Sequence, residues 1–135
     1  MKKPTRVLVV CKFNQNRSRA GEAVLTEMYK ERGHTVGTLE DKTGFDYYVG
    51  SAGMECRNTK DSKKYSSELG DSVDFIFAAD RQIDMQLELY FNVPRKKLAN
   101  LRIPDDYNIT YPDDEFALKN LLREKLEEYM PKRKK

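Results

Sequence analysis

Val7-Leu8-Val9-Val10-Cys11-Lys12-Phe13-Asn14-Gln15-Asn16-Arg17-Ser18 runs from four consecutive apolar residues into a short polar segment and then into helical spacing. An apolar run that does not alternate reads as a strand covered on both faces, the condition of a parallel sheet. The pattern predicts a strand over 5–11 and a helix from Arg17 or Ser18 to Arg32. Ala20, Val24 and Met28 form the buried face of that helix while Glu22, Glu27 and Glu31 point elsewhere, and Gly33 ends it. A short turn between a buried strand and a helix start gathers backbone N–H groups where the helix dipole favours negative charge, so this turn is a cradle for an oxyanion.

Cys11 stands at the rim of that cradle, where the same field favours the thiolate, the nucleophilic form. Arg17 adds a planar fork able to hold two oxygens of one phosphoryl group, a geometry lysine cannot supply. Ser18 is placed to donate a hydrogen bond to the sulfur. Lys12 and Gln15 project from the turn toward a substrate's flank. The competing reading makes Cys11 a small buried hydrophobe at a strand end and Arg17 a solvated helix residue.

Downstream the elements alternate. Residues 34–45 read as a loop. Tyr47 to Ala52 form a second strand stopping at Gly53, and residues 54–60 are expected in the pocket wall. Asp61 to Leu69 suggest a short helix closed by Gly70, followed by a third strand from Val73 to Ala79. Asp80 is a ready N-cap for a helix with Ile83, Leu87 and Tyr90 on one face, broken at Asn92-Val93-Pro94. Leu98 to Leu101 make a short fourth strand that leads into Ile103-Pro104-Asp105-Asp106-Tyr107. The last helix is expected to begin near Thr110, whose spacing to Asp113 matches a capping box, with the stripe Leu118, Leu121, Leu122, Leu126 and Tyr129. Strands alternating with helices give an α/β three-layer sandwich: a four-stranded parallel sheet with helices on both faces. In such a sheet ligands gather beyond the carboxyl ends of the strands, where Cys11 and Gly53 both fall.

The 135 residues suit one domain, taken as residues 1–130, with 131–135 as a basic flexible tail. The charged fraction is 35% and the mean hydropathy −0.80, yet the apolar residues cluster in periodic segments, against disorder. Net charge is +3, but four basic residues lie in the tail, leaving 21 against 22 acidic ones elsewhere. The positive charge therefore belongs to the tail, the segment suited to weak contact with nucleic acid or an acidic partner. No apolar run approaches the roughly 18 residues of a membrane span, and Met1-Lys2-Lys3-Pro4 has no signal-peptide character, so a cytoplasmic protein is expected. Cys11 and Cys56 lack metal or disulfide-framework spacing, and a reducing compartment suits a free thiol nucleophile. The single histidine, His34, reads as a solvated or capping residue. With no other imidazole, a Cys-His hydrolase is disfavoured.

Cys11-x-x-Asn14-x-x-Arg17-Ser18, Ser51-Ala52-Gly53 and Ile103-Pro104-Asp105-Asp106-Tyr107 together resemble the low-molecular-weight protein tyrosine phosphatases, especially their short bacterial and phage-type members. The resemblance covers nearly the whole chain. It implies a strand order 2-1-3-4, attack of Cys11 on phosphorus, phosphoryl binding by Arg17 and the loop amides, loop bracing by Asn14, and protonation of the leaving group by Asp105. Many members have Gly where Phe13 stands, a second cysteine where Asn16 stands, and Pro where Asp106 stands, which keeps Asp106 open as the acid.

The expected function is a phosphomonoesterase, most directly a protein tyrosine phosphatase, without metal or cofactor. Its catalytic set is Cys11, Arg17 and Asp105. Its substrate-binding set is Lys12, Phe13, Asn14, Gln15, Asn16, Ser18 and Tyr107, the last of these, with Tyr111, lining a slot for an aromatic phosphoester. The substrate is a phosphorylated protein or a small phosphoester. Arsenate reduction uses the same oxyanion loop but needs further thiols, of which only Cys56 is present. A catalytically weak phosphate-recognition or partner-binding module is the reading from a different class.

Overall fold

The computed structural model describes residues 3–133. In chain order its regular elements are β1 (Thr5–Cys11), α1 (Arg17–Glu31), β2 (Val36–Thr38), β3 (Tyr47–Gly53), α2 (Ser67–Asp71), β4 (Phe75–Ala78), α3 (Arg81–Phe91), β5 (Leu98–Asn100) and α4 (Pro112–Leu126). Single 3-10 turns at Arg95–Lys97 and Glu127–Tyr129 precede β5 and follow α4.

The sheet is parallel throughout, with spatial order β2-β3-β1-β4-β5. The four expected strands have the expected order, but a fifth lies outside them. Val36 to Thr38, read as loop from composition, pairs with Tyr47 to Val49 at the sheet edge. Three residues containing a glycine carry no strand period of their own, and the pairing comes from the free edge of β3.

β1 lies at the centre, and its side chains alternate between two cores. Val7 and Val9 pack with Ala20, Val24, Met28, Leu118, Leu122 and Leu126 under α1 and α4. Leu8 and Val10 pack with Ile76, Ile83, Leu87 and Tyr65 under α2 and α3. Both faces of the strand are therefore dry, as its unbroken apolar run requires. Gly33, at φ 84°, ends α1 in the left-handed region that an L side chain resists.

Other boundaries move for identifiable reasons. The expected helix over 61–69 begins only after Ser66, which caps Ser67–Asp71 by accepting the Leu69 N–H. Residues 63–65 instead extend the edge of β3: Gly53 N–H donates to the Lys63 carbonyl, and Tyr65 N–H to the Gly53 carbonyl. Gly70 lies inside that helix rather than closing it, and the Tyr65 hydroxyl occupies the space a Cβ would need there. α4 starts at Pro112 with no side-chain cap. Thr110, expected to cap it, donates its hydroxyl to Asn108. Asp80 caps α3 as expected, accepting from Ile83 N–H, but Tyr90 is 75% exposed and leaves the buried stripe to Ile83 and Leu87. Tyr129 stacks edge-on against Phe77 from the turn after α4 and stays partly exposed.

His34 is half-buried rather than solvated, its ring edge against Tyr47, Nδ1 3.8 Å from Asp46, and Nε2 3.2 Å from the Lys132 carbonyl. Arg133 donates to the Glu31 carbonyl at the C-terminal end of α1. Lys134 and Lys135 of the expected tail lie outside the described residues. Among the described residues no helix is long and apolar enough to cross a membrane.

Candidate active site

The turn from Cys11 to Arg17 lies at the carboxyl end of the central strand, beside the ends of β3 and β4. Its close seat on β3 depends on Gly53. A Cβ there would lie 2.6 Å from the Asn14 nitrogen and 2.7 Å from the Phe13 carbonyl carbon, so only glycine lets the turn fold down onto the strand end. Asn14 takes the left-handed conformation (φ 55°) that reverses the chain, and it is buried.

That reversal aims the Asn14 N–H at Cys11 Sγ, 3.3 Å away. Ser18 Oγ lies 2.9 Å from the same sulfur. The Asn14 side chain holds the surroundings: Nδ2 donates to Ser18 Oγ and to Ser51 Oγ, both at 2.9 Å, and Oδ1 accepts the Lys63 N–H at 2.8 Å. Ser18 Oγ therefore accepts from both Asn14 Nδ2 and the Cys11 thiol. The N–H groups of Phe13, Gln15 and Asn16 meet no protein acceptor among the described residues. Asn16, at the N-cap of α1, makes no capping bond and uses Oδ1 to accept the Ile109 N–H, so the positive end of the helix also faces the turn without a side-chain cap.

Arg17 is buried, with 2% of its surface exposed. Its Nη1 donates to Asp80 Oδ2 at 2.7 Å and to the Ile103 carbonyl at 2.8 Å, which uses both hydrogens of that nitrogen. The Nε–Nη2 edge is left to act as the fork. Asp105 Oδ1 lies 3.5 Å from Nε, the carboxylate itself being half exposed. Asp106 is exposed and makes no ion pair among the described residues. Asp80 was visible in the sequence only as a helix cap. In the structure Oδ1 caps α3 and Oδ2 holds Arg17.

The remaining predicted site residues spread outward. Phe13 is 44% exposed with Lys12 Nζ 5.1 Å above its ring, and Lys12 pairs with Glu55 at 3.4 Å. Gln15 is exposed. Tyr107 packs against the α1–α4 core, and Tyr111 is 62% exposed. Of the expected wall segment, Met54 and Glu55 bond back to the Cys11 and Lys12 carbonyls, whereas residues 58–60 line a separate cavity of about 590 Å³ that reaches Asn14, Ser51 and Glu22. Burial pushes the Glu22 carboxyl above its ordinary range, and a hydrogen bond from Ser51 pulls it back. Cys56 Sγ contacts the Gly53 and Lys63 carbonyls, and both cysteines are free. No cluster of three or more His, Cys, Asp or Glu side chains among the described residues is arranged to hold a metal ion.

No protein-family model and no curated protein matches the chain. Solved structures do. A YwlE mutant from Bacillus subtilis superposes with TM-score 0.68 at 20% identity, covering 93% of this chain and 98% of that one. The tyrosine phosphatase Wzb from Escherichia coli K30, in complex with phosphate, gives 0.70 at 17% identity, covering 94% and 96%. The fold is that of the low-molecular-weight protein tyrosine phosphatases. The enzyme of that name from T. tengcongensis adds a third example at TM-score 0.69 and 18% identity, covering 93% and 99%. In all three cases the likeness spans the sheet and its flanking helices and is not confined to one motif.

Proposed function

We propose that the chain is a cysteine-dependent phosphomonoesterase acting on phosphotyrosine in proteins or on small aryl phosphates, in a reducing, cytoplasmic setting. The observation that carries the reading is the double hydrogen bonding of Cys11 Sγ, which accepts from Asn14 N–H and bonds Ser18 Oγ, within the turn that also places the buried Arg17.

In this reading the Cys11 thiolate attacks phosphorus while Arg17 and the unpaired loop amides hold the non-bridging oxygens. The P–O bond to the leaving group breaks, and Asp105 gives its proton to the departing oxygen, a step worth a factor of ~10²–10⁴. Water then attacks the cysteinyl phosphate. Asp105 takes the proton from that water, the S–P bond breaks, and phosphate leaves with the thiolate restored. Lys12, Phe13, Gln15 and Asn16 shape the rim, and Tyr107 flanks the leaving group.

The chosen acid is Asp105 rather than Asp106 because of its approach to the Arg17 fork. Fold neighbours that are phosphatases support hydrolysis over arsenate reduction or simple phosphate recognition. One neighbour, YwlE, is described as an arginine phosphatase, so phosphoarginine is the second substrate to assay. Contact of the basic tail with nucleic acid or an acidic partner belongs to the same proposal and is tested by salt-dependent retention on heparin.

Hydrolysis of p-nitrophenyl phosphate by the intact chain and by Cys11→Ser tests the reading. Turnover in the first and none in the second, with inorganic phosphate still binding to the variant, is the expected result. Equal turnover in both removes the covalent mechanism.

A further inference from the structure

We propose that Asn100 is a positioning residue for the leaving-group acid: by holding Arg102 in a left-handed turn, it sends Ile103 and Asp105 to the Arg17 guanidinium. The inference rests on the phosphatase reading above. Among the described residues Asn100 itself makes no hydrogen bond or ion pair with Arg17 or Asp105.

Three non-glycine residues among those described have positive φ: Asn14, Asn92 and Arg102, at 55°, 56° and 56°. Asparagine tolerates that region, whereas an arginine enters it only where its surroundings hold it there. The hold is Asn100, whose Oδ1 accepts the Arg102 N–H at 2.9 Å, a side chain bracing the backbone two residues on. Asn100 is the last residue of β5, and its own backbone is fixed by pairing with Ala78 of β4.

The turn at Arg102 changes the register. Leu101 N–H donates to the Ala78 carbonyl at 2.8 Å, and Ile103 N–H to the Ala79 carbonyl at 2.7 Å. In a regular parallel ladder, N–H groups two residues apart on one strand meet carbonyls that are also two apart on its neighbour. Here the carbonyls are consecutive. Arg102 is thus an extra residue, exposed between the buried Leu101 and Ile103, and its dihedral sets the direction in which the chain leaves the sheet. Along that direction the Ile103 carbonyl accepts from Arg17 Nη1 at 2.8 Å, and Asp105 Oδ1 stands 3.5 Å from Arg17 Nε. Arg17 has its separate bond to Asp80, so a loss at Asn100 falls on Asp105 first.

The test uses the full chain, two substrates of unlike leaving group (phosphotyrosine and p-nitrophenyl phosphate) and a thermal melt. Asn100→Ala is expected to lower kcat on phosphotyrosine by about threefold to tenfold, the worth of one hydrogen bond, with p-nitrophenyl phosphate within about twofold. Asn100→Asp keeps the acceptor oxygen and should recover most of the loss. Arg102→Gly takes the left-handed turn unaided. Alone it should not lower Tm, and added to Asn100→Ala it should restore phosphotyrosine turnover. Wild-type phosphotyrosine turnover in Asn100→Ala, a loss equal on both substrates, an Asp variant as slow as Ala, a lower Tm in Arg102→Gly, or no rescue in the double variant would each overturn the proposal. Failure of the phosphatase reading is seen as no phosphate release by the wild type, whereas failure of this one leaves the wild type active and the variants out of order.

Discussion

Arg17 Nη1 lies 2.7 Å from Asp80 Oδ2, and the other oxygen of the same carboxylate caps α3 through the Ile83 N–H at 3.0 Å. One aspartate therefore ties the Arg17 guanidinium to a helix on the opposite face of the sheet. Asp80→Asn keeps an acceptor for the cap but weakens the hold on the guanidinium. It should reduce kcat/KM for aryl phosphate by about tenfold or more while thermal unfolding shifts little, since truncating a cap costs about 1 kcal/mol and this change preserves it. Asp80→Ala removes both bonds and should lower activity and Tm together. Steady-state kinetics beside calorimetry on the two variants separates the roles.

Arg17→Lys is expected to be nearly as damaging as loss of the charge. Lysine cannot bond Asp80 and the Ile103 carbonyl through one nitrogen while presenting a second edge to an oxyanion. Most activity surviving in this variant would place Arg17 outside the phosphate site.

Asp105 and Asp106 are distinguished by the leaving group. Asp105→Asn should slow phosphotyrosine hydrolysis strongly and p-nitrophenyl phosphate much less, because a good leaving group departs without a proton. Asp106→Asn should show a small effect, similar on both substrates. A leaving-group-dependent loss at Asp106 alone would transfer the acid role to it.

Gly53→Ala places a methyl 2.6 Å from the Asn14 nitrogen and 2.7 Å from the Phe13 carbonyl carbon, both backbone atoms of the Cys11–Arg17 turn. Overpacking of this kind costs about 1–3 kcal/mol, and here the turn is the part that must move. The expected result is a folded protein with activity reduced much more than stability, read from kinetics and a thermal melt. Unchanged turnover would show that the turn tolerates displacement.

Removing residues 131–135 should leave small-substrate turnover unchanged. It also deletes the Arg133 bond to the Glu31 carbonyl and the Lys132 contact with His34, both remote from Cys11, so the measurable change is a small drop in Tm.

Legibility followed the range of the interaction. The unbroken run Val7–Val10, the i, i+4, i+8 spacing of Ala20, Val24 and Met28, and the Cys11–Ser18 turn are local patterns. They determined the first buried strand, the first helix and a parallel α/β sandwich, and they brought a thiol, a guanidinium and a hydroxyl to one place. Long-range matters were decided by packing. Val36–Thr38 is a strand because β3 offers an edge, and residues 63–65 extend because Gly53 and Asn14 supply partners there. Asp80 holds Arg17 across 63 positions of sequence, and Lys63 fixes the Asn14 amide across 49. Spacing in a sequence reports which residues share a face of one element. Which backbone or carboxylate waits on the next element depends on how the sheet and helices dock, and only the tertiary structure holds that information.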